Sequence, residues 1–245
     1  MPEISIKAET IVSLFGFHFS NSLLLSFFGV ALILILGVSY QKQVSTSKKN
    51  GLFYLLQLLM KSLYSIFKSI LGDHINFFFP LMSAFFLWVL VQNWLGLLPG
   101  VGSLLIAVTE NGHTLHIPLF RSNNADINAT LAIALISVGI VQISGIKFLG
   151  FFTYIKKFVD FSNPINFFVG ILELVSEFSK IISFAFRLFG NIFAGEVLMA
   201  IIAFLIPVFA PFPFLLLEIF VGFIQALVFS MLTSVFISMA ITKHH

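Results

Sequence analysis

Arg187 stands in the run Phe184-Ala185-Phe186-Arg187-Leu188-Phe189-Gly190-Asn191, with no other charge nearer than Lys180 on one side and Glu196 on the other. An arginine in such apolar surroundings costs at least a few kcal/mol to bury in lipid, so it should face protein, a water-filled cavity or a carboxylate. Snorkelling to a headgroup is the alternative, but the nearest proline that could end the helix, Pro207, is about 20 residues away. Four acidic residues lie in the same part of the chain: Glu173, Glu177, Glu196 and Glu218. At about 100° per residue, Glu173 falls within about 40° of the Arg187 azimuth, whereas Glu196 points about 180° away. Arg187 and Glu196 therefore face different environments, one a partner surface and the other an aqueous path.

Glu218 and Gln225, seven apart, fall within about 20° of each other on the final apolar run. If the final helix packs antiparallel to its predecessor around the proline turn, Glu218 can meet Glu196 and Gln225 can approach Arg187. Two neighbouring carboxylates disfavour double ionisation and share a proton, which suits a relay. The same pair held neutral could instead only glue helices together. Asn191 either orients Arg187 or fills a polar niche, and Lys180 either extends the charged face or satisfies Glu177 at i+3. Gly190, Ala194 and Gly195 read as close-packing positions. His18, His74, His113 and His116 have no metal-ligand spacing, and the absence of cysteine removes thiolate metal sites and thiol catalysis. No metal, cofactor or catalytic chemistry is expected of this chain.

The elements that must hold these groups follow from composition. Of 245 residues, 59% are hydrophobic and only 9% charged, with 33 phenylalanines. A soluble domain carries about 25% charge, so this chain cannot cover a water-facing surface and reads as an integral membrane protein. Its 13 basic residues form no continuous stripe, which argues against a nucleic-acid partner; their placement reports orientation. The expected architecture is all-α, with about five membrane-embedded helices and an amphipathic interfacial helix in a single domain over 1–245.

Residues 1–20 form an N-terminal segment, read as a short surface helix on the outer side, and 21–40 the first span, stopped by Lys42, Lys48 and Lys49. In 51–72, Lys61 and Lys68 share an azimuth, as in a helix lying at the membrane surface. Spans are expected over 77–98, which carries Pro80 early and ends at Pro99, and over 127–149, followed by Lys156 and Lys157. The lysines fall two crossings apart, predicting an outside N-terminus and a cytoplasmic C-terminus. Residues 164–206 form one helical pattern twice the thickness of a membrane, which must bend, tilt or break. With 213–242 it makes a long tilted hairpin carrying nearly all the embedded polar residues.

The run from Arg187 through Leu188-Phe189-Gly190-Asn191 to Ala194-Gly195-Glu196 resembles the signature of subunit a of the rotary F-type ATP synthases, of bacterial type. Asn93-Trp94-Leu95-Gly96-Leu97-Leu98-Pro99, Asp126-Ile127-Asn128-Ala129-Thr130-Leu131-Ala132 and Gln225-Ala226-Leu227-Val228-Phe229 resemble its other motifs, in the same order. The resemblance implies an ion-translocating stator with two offset half-channels against a rotating ring of small hairpin subunits (c). It implies that Arg187 faces the ring carboxylate and blocks a direct leak. Glu196 and Glu218 match the inlet positions, Gln225 and Asn191 the neighbours of the arginine, Asp126 and Asn128 the outer entrance, and Glu173 the cytoplasmic exit. Some members carry a histidine at one inlet position where this chain has a second glutamate.

Further implied partners are the peripheral-stalk subunit b, the rest of the ATP synthase, membrane lipid and a translocated proton, with sodium as the other candidate. The implied location is a bacterial plasma (inner) membrane, with a plastid membrane as the alternative. The competing function is a self-contained secondary transporter, whose paired internal repeats are not found here. No phosphate-binding glycine loop is present, so nucleotide chemistry would belong to partners.

Overall fold

The computed structural model describes residues 9–14, 17–46, 49–98, 100–102, 104–110, 113–158, 163–206 and 209–242; Lys48, Pro99 and Pro207 lie outside them. Seven helices are present there: α1 (Asn21–Val44), α2 (Gly51–Leu71), α3 (Ile75–Gly96), α4 (Ile127–Leu149), α5 (Phe151–Lys156), α6 (Pro164–Leu205) and α7 (Pro211–Ile241). Five stretches are long and apolar enough to cross a membrane: Asn21–Val44, Gly51–Gly96, Ile127–Leu149, Pro164–Leu205 and Pro211–Ile241. The fold is an all-α, multi-span membrane bundle, to which two small β-hairpins are attached.

Local chemistry explains where the helices start. Ser20 accepts a hydrogen bond from the Leu23 N–H and caps α1, and Asp126 accepts one from the Asn128 N–H and caps α4. Pro164 and Pro211 open α6 and α7, where a missing N–H costs nothing. At Gly72 the backbone takes φ +54, a conformation that favours glycine, and the chain folds back so that the Tyr64 hydroxyl reaches Asn76 Oδ1 at 3.1 Å. Helix α2 buries Phe53, Leu63, Phe67 and Leu71 and exposes Lys61 and Lys68.

The N-terminal segment departs from the expected surface helix. Thr10–Leu14 (β1) and Phe17–Ser20 (β2) pair antiparallel. The β-branched run Thr10-Ile11-Val12 and the alternation Phe17-His18-Phe19-Ser20 favour extended backbone over a helical stripe. A second hairpin, Leu105–Glu110 (β3) with His113–Pro118 (β4), occupies the long polar connection. Helix α6 neither breaks nor carries an internal proline; its 42 residues run about 63 Å.

Phe67, Phe78, Met82, Phe86 and Val89 of α2 and α3 pack in the core with Leu188 of α6 and Ile237 of α7. Chain direction gives the bundle two chemically distinct ends. One gathers Asn21, Asn93, Asn123, Asn124 and Asp126; the other carries Lys147, Lys156, Lys157 and Lys180.

Candidate functional site

Each ionisable group on α6 has its own arrangement. Nearest the lysine end, Lys157 Nζ lies 2.6 Å from Glu173 Oε1. One turn on, Lys180 Nζ lies 2.6 Å from Glu177 Oε1, an i,i+3 pair, and also over the Phe236 ring of α7 at 4.7 Å. The other Glu177 oxygen accepts from Gln142 Nε2 at 2.8 Å, and Gln142 Oε1 accepts from the Tyr154 hydroxyl at 2.6 Å. Tyr154 is 3% exposed, and a Cβ at Gly145 would collide with its ring. Burial, together with the Glu177 and Glu173 charges, pushes the Tyr154 phenol up to about 12, so it stays a donor at neutral pH.

Arg187, 23 residues into the helix, behaves differently. Its side chain is exposed on the bundle surface, and Nη2 reaches only the Ser183 hydroxyl, at 3.4 Å. Among the described residues no carboxylate lies within ion-pair distance of it. In water this would be ordinary. In the middle of a helix long enough to cross a membrane it leaves a positive charge without a counter-ion among the described residues.

At the amide end, Glu196 accepts from the Ser122 backbone N–H and sits within electrostatic range of Arg121. Arg121 is buried and donates to the Ala125 carbonyl across the 3-10 turn Asn123–Ala125. Glu218 of α7, 6% exposed, lies against the backbone beside Glu196: a Cβ at Gly195 would stand 2.5 Å from its Cδ and both carboxylate oxygens. Only a glycine permits that approach. Around the two carboxylates runs an amide network in which Asn124 Nδ2 donates to Asn93 Oδ1 at 2.6 Å and Asn93 Nδ2 to the Gly222 carbonyl at 2.9 Å. Ser22 Oγ donates to Asp126 Oδ2 at 3.0 Å. Asn21 Oδ1, Gln92 Oε1 and Ser122 Oγ are buried without a hydrogen-bond partner among the described residues. Buried polar atoms of this kind are satisfied by water in folded proteins.

The residues singled out in the sequence thus fall into separate groups. Glu196 and Glu218 are both at the amide end, Glu196 on the Ser122 backbone and Glu218 against Gly195. Asp126 is buried nearby, while Asn128 is exposed and engages Asp126 through its backbone. Glu173 is at the lysine end. Asn191 is half-buried with an unpaired Nδ2, and Gln225 is half-buried on α7. Neither is among the hydrogen-bond partners of Arg187, whose bond goes to Ser183. Sequence reasoning gave no role to Arg121, Gln142 or Tyr154. A lone arginine two residues before the Asn123-Asn124 pair, and a lone glutamine in an apolar span, were the available signals.

Comparison with known proteins places the chain in a family. The family profile described as "ATP synthase A chain" matches residues 23–238. ATP synthase subunit a of Syntrophobacter fumaroxidans is 34% identical over 178 residues, covering 72% of this chain and 66% of the relative. The subunit a of Geotalea uraniireducens is 32% identical, covering 88% of this chain and 85% of the relative. That of Gloeobacter violaceus is 33% identical, covering 88% and 82%. With a matching profile over most of its length, and with Arg187 set between Glu173 and Glu177 on one side and Glu196 on the other along its longest helix, this chain belongs to the ATP synthase subunit a family.

Proposed function

We propose that this chain is the ion-conducting stator of the ATP synthase membrane sector, working against a rotating ring whose subunits each carry a carboxylate. The observation that carries the reading is Arg187, exposed in the middle of α6 with no carboxylate within ion-pair distance among the described residues. A fixed guanidinium favours the ionised form of a carboxylate brought against it. A ring site would therefore release its ion on reaching Arg187 and regain one after leaving. The same charge would block direct passage of a cation between the two sides.

Under this reading Glu196 and Glu218 form the inlet relay, fed from the amide end through the region of Asn21, Gln92, Ser122 and Asp126. Asn128 would mark the outer entrance, and Asn191 and Gln225 would line the approach to Arg187. Glu173, toward the lysine end, would border the exit. The lysines gathered at that end support a cytoplasmic assignment for it, and hence an outer N-terminus and a cytoplasmic C-terminus in a bacterial plasma membrane. The partners are the c-ring and the peripheral-stalk subunit b. The translocated ion is the proton, which two adjacent carboxylates can relay without a coordination cage. Each charge crossing gains about 2.3 kcal/mol per 100 mV, so several must cross for each nucleotide made elsewhere in the complex.

The test is ATP-driven ion uptake by vesicles carrying the whole complex, comparing the parent with Arg187→Ala in proton and sodium media. Acidification that is independent of sodium in the parent and lost in an assembled Arg187→Ala complex is the expected result. Equal pumping by the two complexes would remove Arg187 from the mechanism.

A further inference from the structure

The two cations of α6, Lys180 and Arg187, are seven residues apart, so they lie within about 20° of the same azimuth and roughly 10 Å apart along the axis. A helix with two free cations on one face would offer a passing carboxylate two places to stop. The structure removes one of them. Lys180 is turned into the bundle, where it meets Glu177 Oε1 at 2.6 Å and the Phe236 ring at 4.7 Å. Glu177 is in turn pinned from the far side by Gln142, at 2.8 Å, and Gln142 by the buried Tyr154 hydroxyl. Groups from α4, α5, α6 and α7 thus converge on one ion pair, which is far more restraint than an exposed i,i+3 pair receives.

We propose that Glu177, held by Gln142 and Tyr154, neutralises Lys180 so that Arg187 alone presents a free positive charge to the rotor along α6. Glu177 is a positioning residue here: it touches neither the ion nor the ring, and acts by keeping Lys180 off the rotor-facing surface. The inference rests on the stator reading and adds to it a means of confining carboxylate deprotonation to one level of the membrane.

Glu177→Gln frees the lysine charge while nearly preserving shape. A unit charge roughly 10 Å from the release site, at an effective dielectric of about 20, should slow coupled pumping by about tenfold. Glu177→Gln/Lys180→Gln removes both charges, and should restore pumping to within about twofold of the parent by the same reasoning. A purely structural role gives the opposite order, because the double variant loses more contacts. The measurement is ATP-driven proton uptake in inverted vesicles with matched subunit content, with Arg187→Ala run in parallel. Parental pumping by Glu177→Gln, or a double variant no better than Glu177→Gln, overturns the proposal. If Arg187→Ala is inactive in those same preparations, the stator reading survives that failure. Should Glu177→Gln not assemble, the swapped pair Glu177→Lys/Lys180→Glu decides: retained pumping supports charge neutralisation, and loss in an assembled complex refutes it.

Discussion

Gly195→Ala adds one methyl group at the point where α6 packs against Glu218 of α7, one residue before Glu196. Its Cβ would stand 2.5 Å from Cδ, Oε1 and Oε2 of Glu218. Ordinary contacts between heavy atoms lie near 3.5–4.0 Å, so the carboxylate must retreat by about 1 Å or the helices must part by a similar amount. Overpacking of this kind costs about 1–3 kcal/mol. Under the stator reading the functional effect should be larger, since displacing a proton-relaying group by about 1 Å can cost about 10²-fold in rate. Gly139→Ala in α4 is the matched control: its Cβ meets nothing within 4 Å. Removing a glycine from a helix interior there should stabilise by about 0.5–1 kcal/mol. The assay is ATP-driven proton uptake by vesicles with equal complex content, alongside the thermal midpoint of the purified complex. Gly195→Ala should lose most of its pumping with only a modest fall in midpoint, and shortening the neighbour with Glu218→Asp should recover part of the loss. A Gly195→Ala complex that pumps at the parental rate would refute both the tight contact and its importance.

At the lysine end, Tyr154→Phe leaves Gln142 Oε1 without its donor, at a cost of about 1–2 kcal/mol. The variant complex should show a lower thermal midpoint; an unchanged midpoint would mean the buried hydroxyl contributes nothing. At the opposite end, burial raises the Glu9 carboxyl above its usual 4.5, an effect partly offset by Arg121. A raised carboxyl favours the docked segment fully below its unfolded value and loses that contribution as pH rises through the folded value. A spin label on Thr10→Cys, in a chain with no other cysteine, should therefore become more mobile as pH increases from about 4 to 8. Glu9→Gln should abolish the trend, and its persistence in that variant would sink the assignment to Glu9.

The long helices were readable because their boundaries are written in local chemistry. Ser20, Asp126, Pro164 and Pro211 each sit where a cap or an opening proline belongs, and the apolar runs between them exceed a membrane crossing. The pairing of Lys180 with Glu177 was one of two readings left open, and i,i+3 spacing made it visible. The β1–β2 hairpin was not visible, because two strands of five and four residues carry a weak periodic signal beside an apolar run of twenty or more. Arg121 was hidden for a different reason. It lies 75 positions before Glu196, and their meeting depends on how the turn at Asn123–Ala125 seats against α6, a tertiary fact that no local pattern encodes. Gln142 and Tyr154 belong to the same class: each is a lone polar group whose partner is chosen by packing.

The uncompensated guanidinium also bears on the life of the chain before it meets its partners. A cation in the middle of a membrane-crossing helix is a burden of about 2.5–3.5 kcal/mol on insertion scales, and under the stator reading α6 inserted alone carries it in Arg187. The remaining charged pairs of the helix do nothing to relieve it, because their counter-ions are already engaged. Under that reading, a carboxylate supplied by the ring would remove the burden at the moment of assembly. Under the stator reading, the group that governs turnover therefore also makes the unassembled subunit the less stable species, and so exposes orphaned copies to selective clearance.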